Sequence, residues 1–262
     1  DFSYSSSGSE IVLSAVQKGQ SDIFTFSPRT KTYVQHTKDR WDDFSPRYVM
    51  NDRYIAFNST RDEDTLRPTP IRQAAELDRP SSTDIFLFDN ISKSAQLLRL
   101  TNTPGVNETA PLMIDSSHFS YLSDENGIIN RYVSTLDSAI AYIDTVIHYR
   151  YIVNAGPQSD YKRNVLQHDI NSRTTRYAEL MRIDSRYSIY LSPSPTADSL
   201  STTPLKKTGL RFKLDRNSGI RSSSNSAGSS NSGGGIKVID QTKSSETSDS
   251  NKKQDNSLTE IS

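Results

Sequence analysis

The chain has no cysteine among its 262 residues, a single tryptophan and only three methionines. Without cysteine there can be no disulfides and no thiolate metal sites, although this alone does not fix a compartment. No apolar run approaches the roughly 18 residues that a membrane-spanning helix needs. The 31 basic and 31 acidic residues cancel, and no basic stripe of the kind that tracks nucleic-acid phosphates is visible. These absences set aside a helical membrane span and a nucleic-acid partner.

Hydrophobic residues make up 33% of the chain, which is low for a fully globular protein. The shortfall is concentrated at the C-terminus. From Ser222 to Ser262 the aliphatic residues are Ala227, Ile236, Val238, Ile239, Leu258 and Ile261, in a background of Ser, Asn, Gly, Lys, Asp and Thr. Such a segment cannot bury enough apolar surface to offset about 1–2 kcal/mol of backbone entropy per residue. Residues 222–262 are therefore expected to be a disordered tail and 192–221 a linker, opening at Leu191-Ser192-Pro193-Ser194-Pro195. Within the linker, Thr208–Leu214 reads as one isolated strand. The chain opens on Asp1 without Met, as expected of a piece excised from something longer.

What is present is a repeat. Ile11-Val12-Leu13-Ser14, Ile55-Ala56-Phe57-Asn58-Ser59 and Phe119-Ser120-Tyr121-Leu122-Ser123 are short, β-rich strings, each followed by a turn cluster and a second string. The second strings are Asp22–Phe26, Asp84–Phe88 and Asn130–Ser134. A third class ends in threonine, at Thr37 and Thr101. Ile11 and Ile55 are 44 positions apart, and Asp84 and Asn130 are 46 apart, close to the roughly 40–45 residues of a propeller blade. The longer interval between Thr37 and Thr101 is accounted for by an insertion at 62–83, expected to be a loop with at most a short helix near Ile71–Leu77. Alternating apolar and polar residues between Gly, Pro, Asn and Asp clusters are the mark of strands and hairpins. The strings are too short and too rich in β-branched and aromatic residues for helices.

The stretch Phe44-Ser45-Pro46, then Tyr54–Arg61, Asp84–Asp89 and Arg99-Leu100-Thr101 resembles the TolB-like, WD40-like β-propeller repeat of large Gram-negative cell-envelope proteins. The next blade opens at Asn107-Glu108-Thr109-Ala110-Pro111, with Asp124-Glu125-Asn126-Gly127 as the turn between its Phe119 and Asn130 strings. The first blade reads as partial, from Gly8 to Thr37. The Asp-Gly that usually follows Ser-Pro is replaced by the longer Arg47–Asp52. Beyond Ser138 the match weakens. Val146–Val153, Tyr161–Leu166 and Arg186–Leu191 are read as a fourth, degenerate blade over 138–191. The expected fold is thus all-β: a partial β-propeller of about three to four four-stranded blades over residues 1–191, with a disordered C-terminal tail. A ring this incomplete is expected to leave strand edges open to other chains.

Chemistry is sparse. There is no Gly-x-Ser-x-Gly elbow, and His36, His118, His148 and His168 show no metal-ligand spacing. His36 and His118 are expected as ordinary strand residues. The acidic clusters Asp42-Asp43, Asp62-Glu63-Asp64 and Asp124-Glu125 are expected to cap turns. No catalytic, cofactor or metal residues are assigned. Tyr149, Arg150 and Tyr151, with Tyr161 and Arg163, interleave aromatic and basic groups of the type enriched at protein contacts. They are the candidate partner-binding set, although strand alternation puts Tyr149 and Tyr151 on one face, which favours ordinary inter-blade packing for them. The resemblance implies a non-enzymatic, periplasmic or cell-envelope scaffold, with envelope or outer-membrane proteins as partners. The alternative is the gating propeller of a prolyl-oligopeptidase-type serine peptidase whose catalytic domain lies outside this chain.

Overall fold

The computed structural model describes residues 1–67, 82–143, 147–171, 176–193, 204–217 and 237–240. Four antiparallel sheets follow one another along the chain. Blade 1 is β1 (Phe2–Tyr4), β2 (Ile11–Gln17), β3 (Gln20–Ser27) and β4 (Thr32–Gln35). Blade 2 is β5 (Asp43–Val49), β6 (Tyr54–Ser59), β7 (Asp84–Asp89) and β8 (Leu98–Arg99). Blade 3 is β9 (Glu108–Met113), β10 (His118–Ser123), β11 (Asn130–Ile143) and β12 (Ile147–Pro157). Blade 4 is β13 (Val165–Asn171), β14 (Arg176–Ile183) and β15 (Arg186–Pro193). The sheets stack in chain order, with β1, β2 and β3 against β5, β5, β6 and β7 against β9, and β9 against β13. The first strands therefore converge, and the fold is the expected partial β-propeller.

A blade held between two others buries both faces, and the burial of its strands shows it. Ile55, Ala56, Phe57, Asn58 and Ser59 of β6 are all buried, as are Ile85–Phe88 of β7 and Phe119–Ser123 of β10. Each junction has its own apolar filling. Val12 and Ile23 meet Ile55, Phe57, Phe86, Phe88 and Leu97 between blades 1 and 2. Ala56, Ile85, Leu87 and Leu98 meet Phe119, Tyr121 and Tyr132 between blades 2 and 3. Leu122, Val165 and Met181 fill the smaller junction between blades 3 and 4. At about 25 cal/mol per Å² of apolar surface, these faces are the main stabilising term.

The recurring threonine closes blades 1 and 2, and Ser159 takes its place in blade 3. The Ile23 N–H donates to Thr37 Oγ1 (2.9 Å), Ile85 N–H to Thr101 Oγ1 (2.8 Å) and Arg131 N–H to Ser159 Oγ (2.9 Å). Blades are also clasped to their successors. The Glu108 N–H donates to the Thr83 carbonyl (2.8 Å) while Thr83 Oγ1 donates to the Glu108 carbonyl (3.0 Å). Ser21 Oγ likewise donates to the Asp43 carbonyl at 2.8 Å.

Several expectations need correction. Blade 1 has its first strand, β1, ahead of Gly8. Ser45-Pro46 lies inside β5 at a bulge, where the register with β6 breaks between Phe44 and Arg47. Its counterpart is Ala110-Pro111 in β9, and Ser45 and Ala110 share a left-handed backbone (φ 50° and 52°). Proline has no N–H to give the ladder, so a bulge accommodates it. The hairpin turn is the shorter Met50-Asn51-Asp52, left-handed throughout (φ 52°, 53° and 64°), a conformation that Asn and Asp tolerate better than most residues. The string at Val146–Val153 is not the start of a fourth blade, because residues 147–157 form the outer strand of blade 3, paired along β11. Blade 4 is built instead around β14, which the sequence reading passed over.

The insertion leaves blade 2 between β6 and β7. Its first residues run beside the start of β8, with Leu66 N–H donating to the Ala95 carbonyl (2.7 Å) and Leu97 N–H to Asp64 (2.8 Å). Residues 68–81, with the expected short helix, lie outside the described residues. The linker holds helix α1 (Gly209–Asn217) rather than an isolated strand. Thr208 caps it through Oγ1, which accepts from the Arg211 N–H at 3.3 Å. Arg211 and Asp215 are buried and ion-paired at 2.8 Å, and Arg211 also donates to the Gly105 carbonyl at 2.9 Å. A Cβ on Gly127 (φ +90°) would run into Thr208 Oγ1, so that turn needs glycine to receive the helix. In the tail, β16 (Lys237–Asp240) pairs antiparallel with Arg150–Val153 of β12. The rest of 222–262 lies outside the described residues.

Candidate interaction site

The hairpin turns of blades 2 and 3 border a cleft of about 780 Å³. Its walls are Tyr48, Met50, Tyr54, Met113, Ile114, Leu136 and Tyr151, with Asp52, Arg53 and Asp115 among the polar groups. Each side chain is set by the strand end beneath it. The left-handed Met50–Asp52 turn directs the Met50 N–H at Met113 Sδ (3.0 Å), joining the two turns. Asp52 accepts from the Ser6 N–H at 2.9 Å, tying the β1–β2 turn to the same rim. The Asn90 side-chain amide donates to the Asp52 carbonyl at 2.9 Å.

The polar groups are held by neighbours. Tyr48 donates to Glu10 Oε2 at 3.3 Å, and burial together with that carboxylate pushes its hydroxyl above the ordinary phenol range. Burial and the nearby Tyr151 hydroxyl push Tyr54 the same way. Asp115 is held below the usual carboxylate range. The backbone N–H of Ser117 and the ring and backbone N–H of His118 outweigh its modest burial. The Arg53 guanidinium lies over the Tyr54 ring, 5.3 Å from its centre. Phenols, thioethers and aliphatic groups on rigid strand ends suit apolar side chains of a partner, with Asp and Arg at the rim for orientation.

The expected partner-binding residues are not brought together. Tyr149 and Arg150 stand on β12 opposite Ile140 and Ala139, and their side chains fall outside the described residues. Tyr151 lines the cleft and is half-buried against Leu136 and Tyr54. Tyr161 donates its hydroxyl to Glu179 Oε2 at 2.8 Å, and its N–H reaches Asn130 at 2.7 Å. Arg163 is exposed and pairs with Asp184 at 3.3 Å. Tyr151 stands opposite Ser138, eight residues up β11 from Asn130, so the two groups are about 26 Å apart along the strand. Tyr48, Tyr54 and the two methionines were missed, because only the turn brings Met50 and Met113 into contact.

Two histidines are held neutral, His168 buried and His36 half-buried. Burial lowers His36, whose ring is tilted against Phe88 at 5.2 Å, to about 4. His168, likewise lowered to about 4 by burial, donates from Nε2 to the Ala110 carbonyl at 2.7 Å. The His148 side chain lies outside the described residues. Among the described residues no group of three or more His, Asp or Glu is placed to hold a metal ion. No helix among them is long and apolar enough to cross a membrane.

Four meandering antiparallel sheets stacked on their faces define a segment of a β-propeller. Among solved structures the chain is similar to TolB from Acinetobacter baumannii, at 12% identity and a TM-score of 0.52 over 74% of this chain and 40% of that one. A putative TolB from Agrobacterium tumefaciens matches at 14% identity and a TM-score of 0.38, over 59% of this chain and 44% of that one. Hydrazine synthase from Kuenenia stuttgartiensis matches at 10% identity and 0.40, over 80% and 38%. The first likeness speaks to fold alone, and the other two are too distant in shape to add to it. The chain spans less than half the length of each TolB. No family model and no curated protein matches it.

Proposed function

We propose that these blades form part of a non-enzymatic protein-interaction scaffold of the bacterial cell envelope, on its periplasmic side. The observation that carries this reading is the rim cleft, an amphipathic recess held by the turns of successive blades. Support also comes from the TolB-like fold, since propellers present partners with their rims and loops. Fold-level analogy is only an associational warrant for function, so the cleft bears the weight. Tyr151 is the member of the expected partner-binding set that serves it. Tyr161 and Arg163 belong to the opposite end and form a second, smaller contact.

Photo-crosslinking in an envelope fraction tests this. A photoreactive residue in place of Tyr54 should capture a discrete protein, and Met113→Lys should abolish the capture. The same probe at Lys18, on the exposed β2–β3 turn, should capture nothing in common. Equal labelling from both positions would sink the reading. A Gly-x-Ser-x-Gly hydrolase domain in the adjoining coding sequence would move it to the gating propeller of a peptidase.

A further inference from the structure

The outer strand of a blade has one edge that no neighbouring blade covers, however many blades the stack holds. Blades 2 and 3, both interior, close that edge differently. In blade 2 the chain that has just left β6 does it. Thr65 bridges Gln96, and β8 itself is only Leu98–Arg99. Blade 3 has a much longer outer strand, the eleven residues of β12. Its cover comes from 80 positions beyond Pro157, where Lys237–Asp240 pairs antiparallel with Arg150–Val153.

The register shows which backbone groups do this pairing. The Leu136 N–H donates to the Ser117 carbonyl at 2.7 Å, so Leu136 and, by alternation, Ser138 turn their backbone groups toward β10. Val153 and Tyr151 stand opposite those two residues on β12, and their N–H and C=O groups therefore point outward. Lys237 and Ile239 stand opposite Val153 and Tyr151 in turn. They are the residues of β16 whose backbone meets the edge, while Val238 and Asp240 turn theirs away. Pro157 falls in the same outward set as Tyr151 and Val153, so its missing N–H takes nothing from the ladder with β11. Asp240 stands opposite Arg150, Ile239 opposite Tyr151 and Val238 opposite Ile152. Opposite charges and apolar pairs at such positions fix a register.

β16 spans only four of the eleven positions of β12. A strand that short gains little more than ordering it costs. It holds its place because the chain keeps it near, at an effective concentration on the order of millimolar. A longer strand that makes the same pairs and more displaces it. We propose that the outer edge of β12 is a docking site for an extended segment of a protein partner, which adds as an antiparallel strand, and that β16 is a tethered stand-in for it. The partner segment carries two adjacent β-branched residues, opposite Ile152 and Tyr151, followed by an acid opposite Arg150. The edge is a surface beyond the rim cleft, which it meets at Tyr151, and it rests on the scaffold reading only in needing a protein partner.

Fluorescence anisotropy with the full chain, and a labelled peptide of residues 236–241 as the probe, tests this. Ile239→Pro in the chain removes an N–H that faces β12 and unseats the tail strand. β16 lies outside the four strands of blade 3, so circular dichroism should show an unchanged fold. This variant should bind the probe about 10-fold or more tighter than wild type, whose own tail competes. A probe N-methylated at Ile239 should lose binding, whereas N-methylation at Val238 should be tolerated. In the envelope fraction, a photoreactive residue at the exposed Asn154 of the variant should capture a discrete protein, and excess probe should block the capture. Capture from Tyr54 reads the cleft independently, so its failure with the probe still bound touches the cleft alone. No binding to the variant, equal binding to variant and wild type, or equal loss from both methylations would overturn the proposal. So would capture of nothing but a second copy of this chain.

Discussion

Two junctions occupy the same place in the repeat and handle charge in opposite ways. Asp43 and Glu108 both open the first strand of their blade, opposite Ser59 and Ser123. Two residues past Ser59 stands Arg61, which is fully buried. It donates twice to Asp43 (2.9 and 2.8 Å) and once to Asp39 (3.1 Å), and its Nε donates to Ser59 Oγ (2.9 Å). Burial pushes both carboxyls up while the guanidinium pulls them down, with Asp39 settling near 6. Two residues past Ser123 stands Glu125, which is exposed. Glu108 thus has no arginine in the equivalent place. Burial, helped by the neighbouring Asp84, pushes its carboxyl to about 8 against hydrogen bonds from Thr101 and Thr103. One junction neutralises its buried acid with a cation and the other with a proton.

The comparison can be broken most severely at Arg61. Arg61→Ala strands Asp39 and Asp43 without their cation and should cost about 3–5 kcal/mol, the range for breaking a buried pair. Urea unfolding followed by the fluorescence of Trp41, the single tryptophan and a buried one, would show it. Adding Asp39→Asn and Asp43→Asn should recover part of the loss. No recovery would mean that packing over Phe57 and Phe86, not charge, explains Arg61.

The threonine closure is common to both junctions, so it should not discriminate between them. Thr37→Val and Thr101→Val each leave a buried amide without its acceptor and should cost about 1–3 kcal/mol apiece. A difference larger than that range between the two would show that the junctions are unequal in more than charge.

The pH response should sharpen the contrast. Below about 4.5 both the folded and unfolded states hold the Glu108 proton, and above about 8 neither does. Between those values only the folded state holds it, so stability falls as pH rises, by up to about 1.4 kcal/mol per pH unit for one proton. Asp22, pushed to about 7 mainly by burial and then by Asp43 and Asp39, adds a loss of the same sign at lower pH. Glu108→Gln should flatten the part of the slope that extends to pH 8. An unchanged slope would remove Glu108 as its source.

The smallest effect is expected from Glu125→Arg, which moves the blade 2 arrangement into blade 3. At pH 5 the exposed substitution should stay within about 0.5 kcal/mol of wild type. At pH 9 it should stabilise, since a cation then faces an ionised Glu108. Stabilisation at pH 5 that is absent at pH 9 would contradict the equivalence of the two positions.

The apolar strings were legible because an interior blade is buried on both faces, so β6, β7 and β10 stand out as unbroken β-rich runs between turns. The terminal and paired elements were not. Strand β14 reads Arg-Tyr-Ala-Glu-Leu-Met-Arg-Ile, too charged to look like a core strand. Its Glu179 is buried between two distant partners, Arg131, 48 positions earlier, at 2.6 Å and the Tyr161 hydroxyl at 2.8 Å. Helix α1 inverts the usual cue by burying Arg211 and Asp215 and exposing Leu210, Phe212 and Leu214. Asp43 looked like a turn acid beside Asp42, since nothing local reveals a partner at position 61. In the candidate site, Tyr151 was visible as an aromatic on a strand. Met50 and Met113 gained meaning only when two turns 63 positions apart met.

The hydrogen-bonded clasp from one blade to the next also has a mechanical consequence. Tension applied between the chain ends would pass through the blade junctions in series, because each sheet is fastened to the next rather than to a common frame. The force at any moment falls on whichever junction is weakest. Extension should then proceed by discrete releases, one sheet at a time, beginning at the sparsely filled joint that holds blade 4.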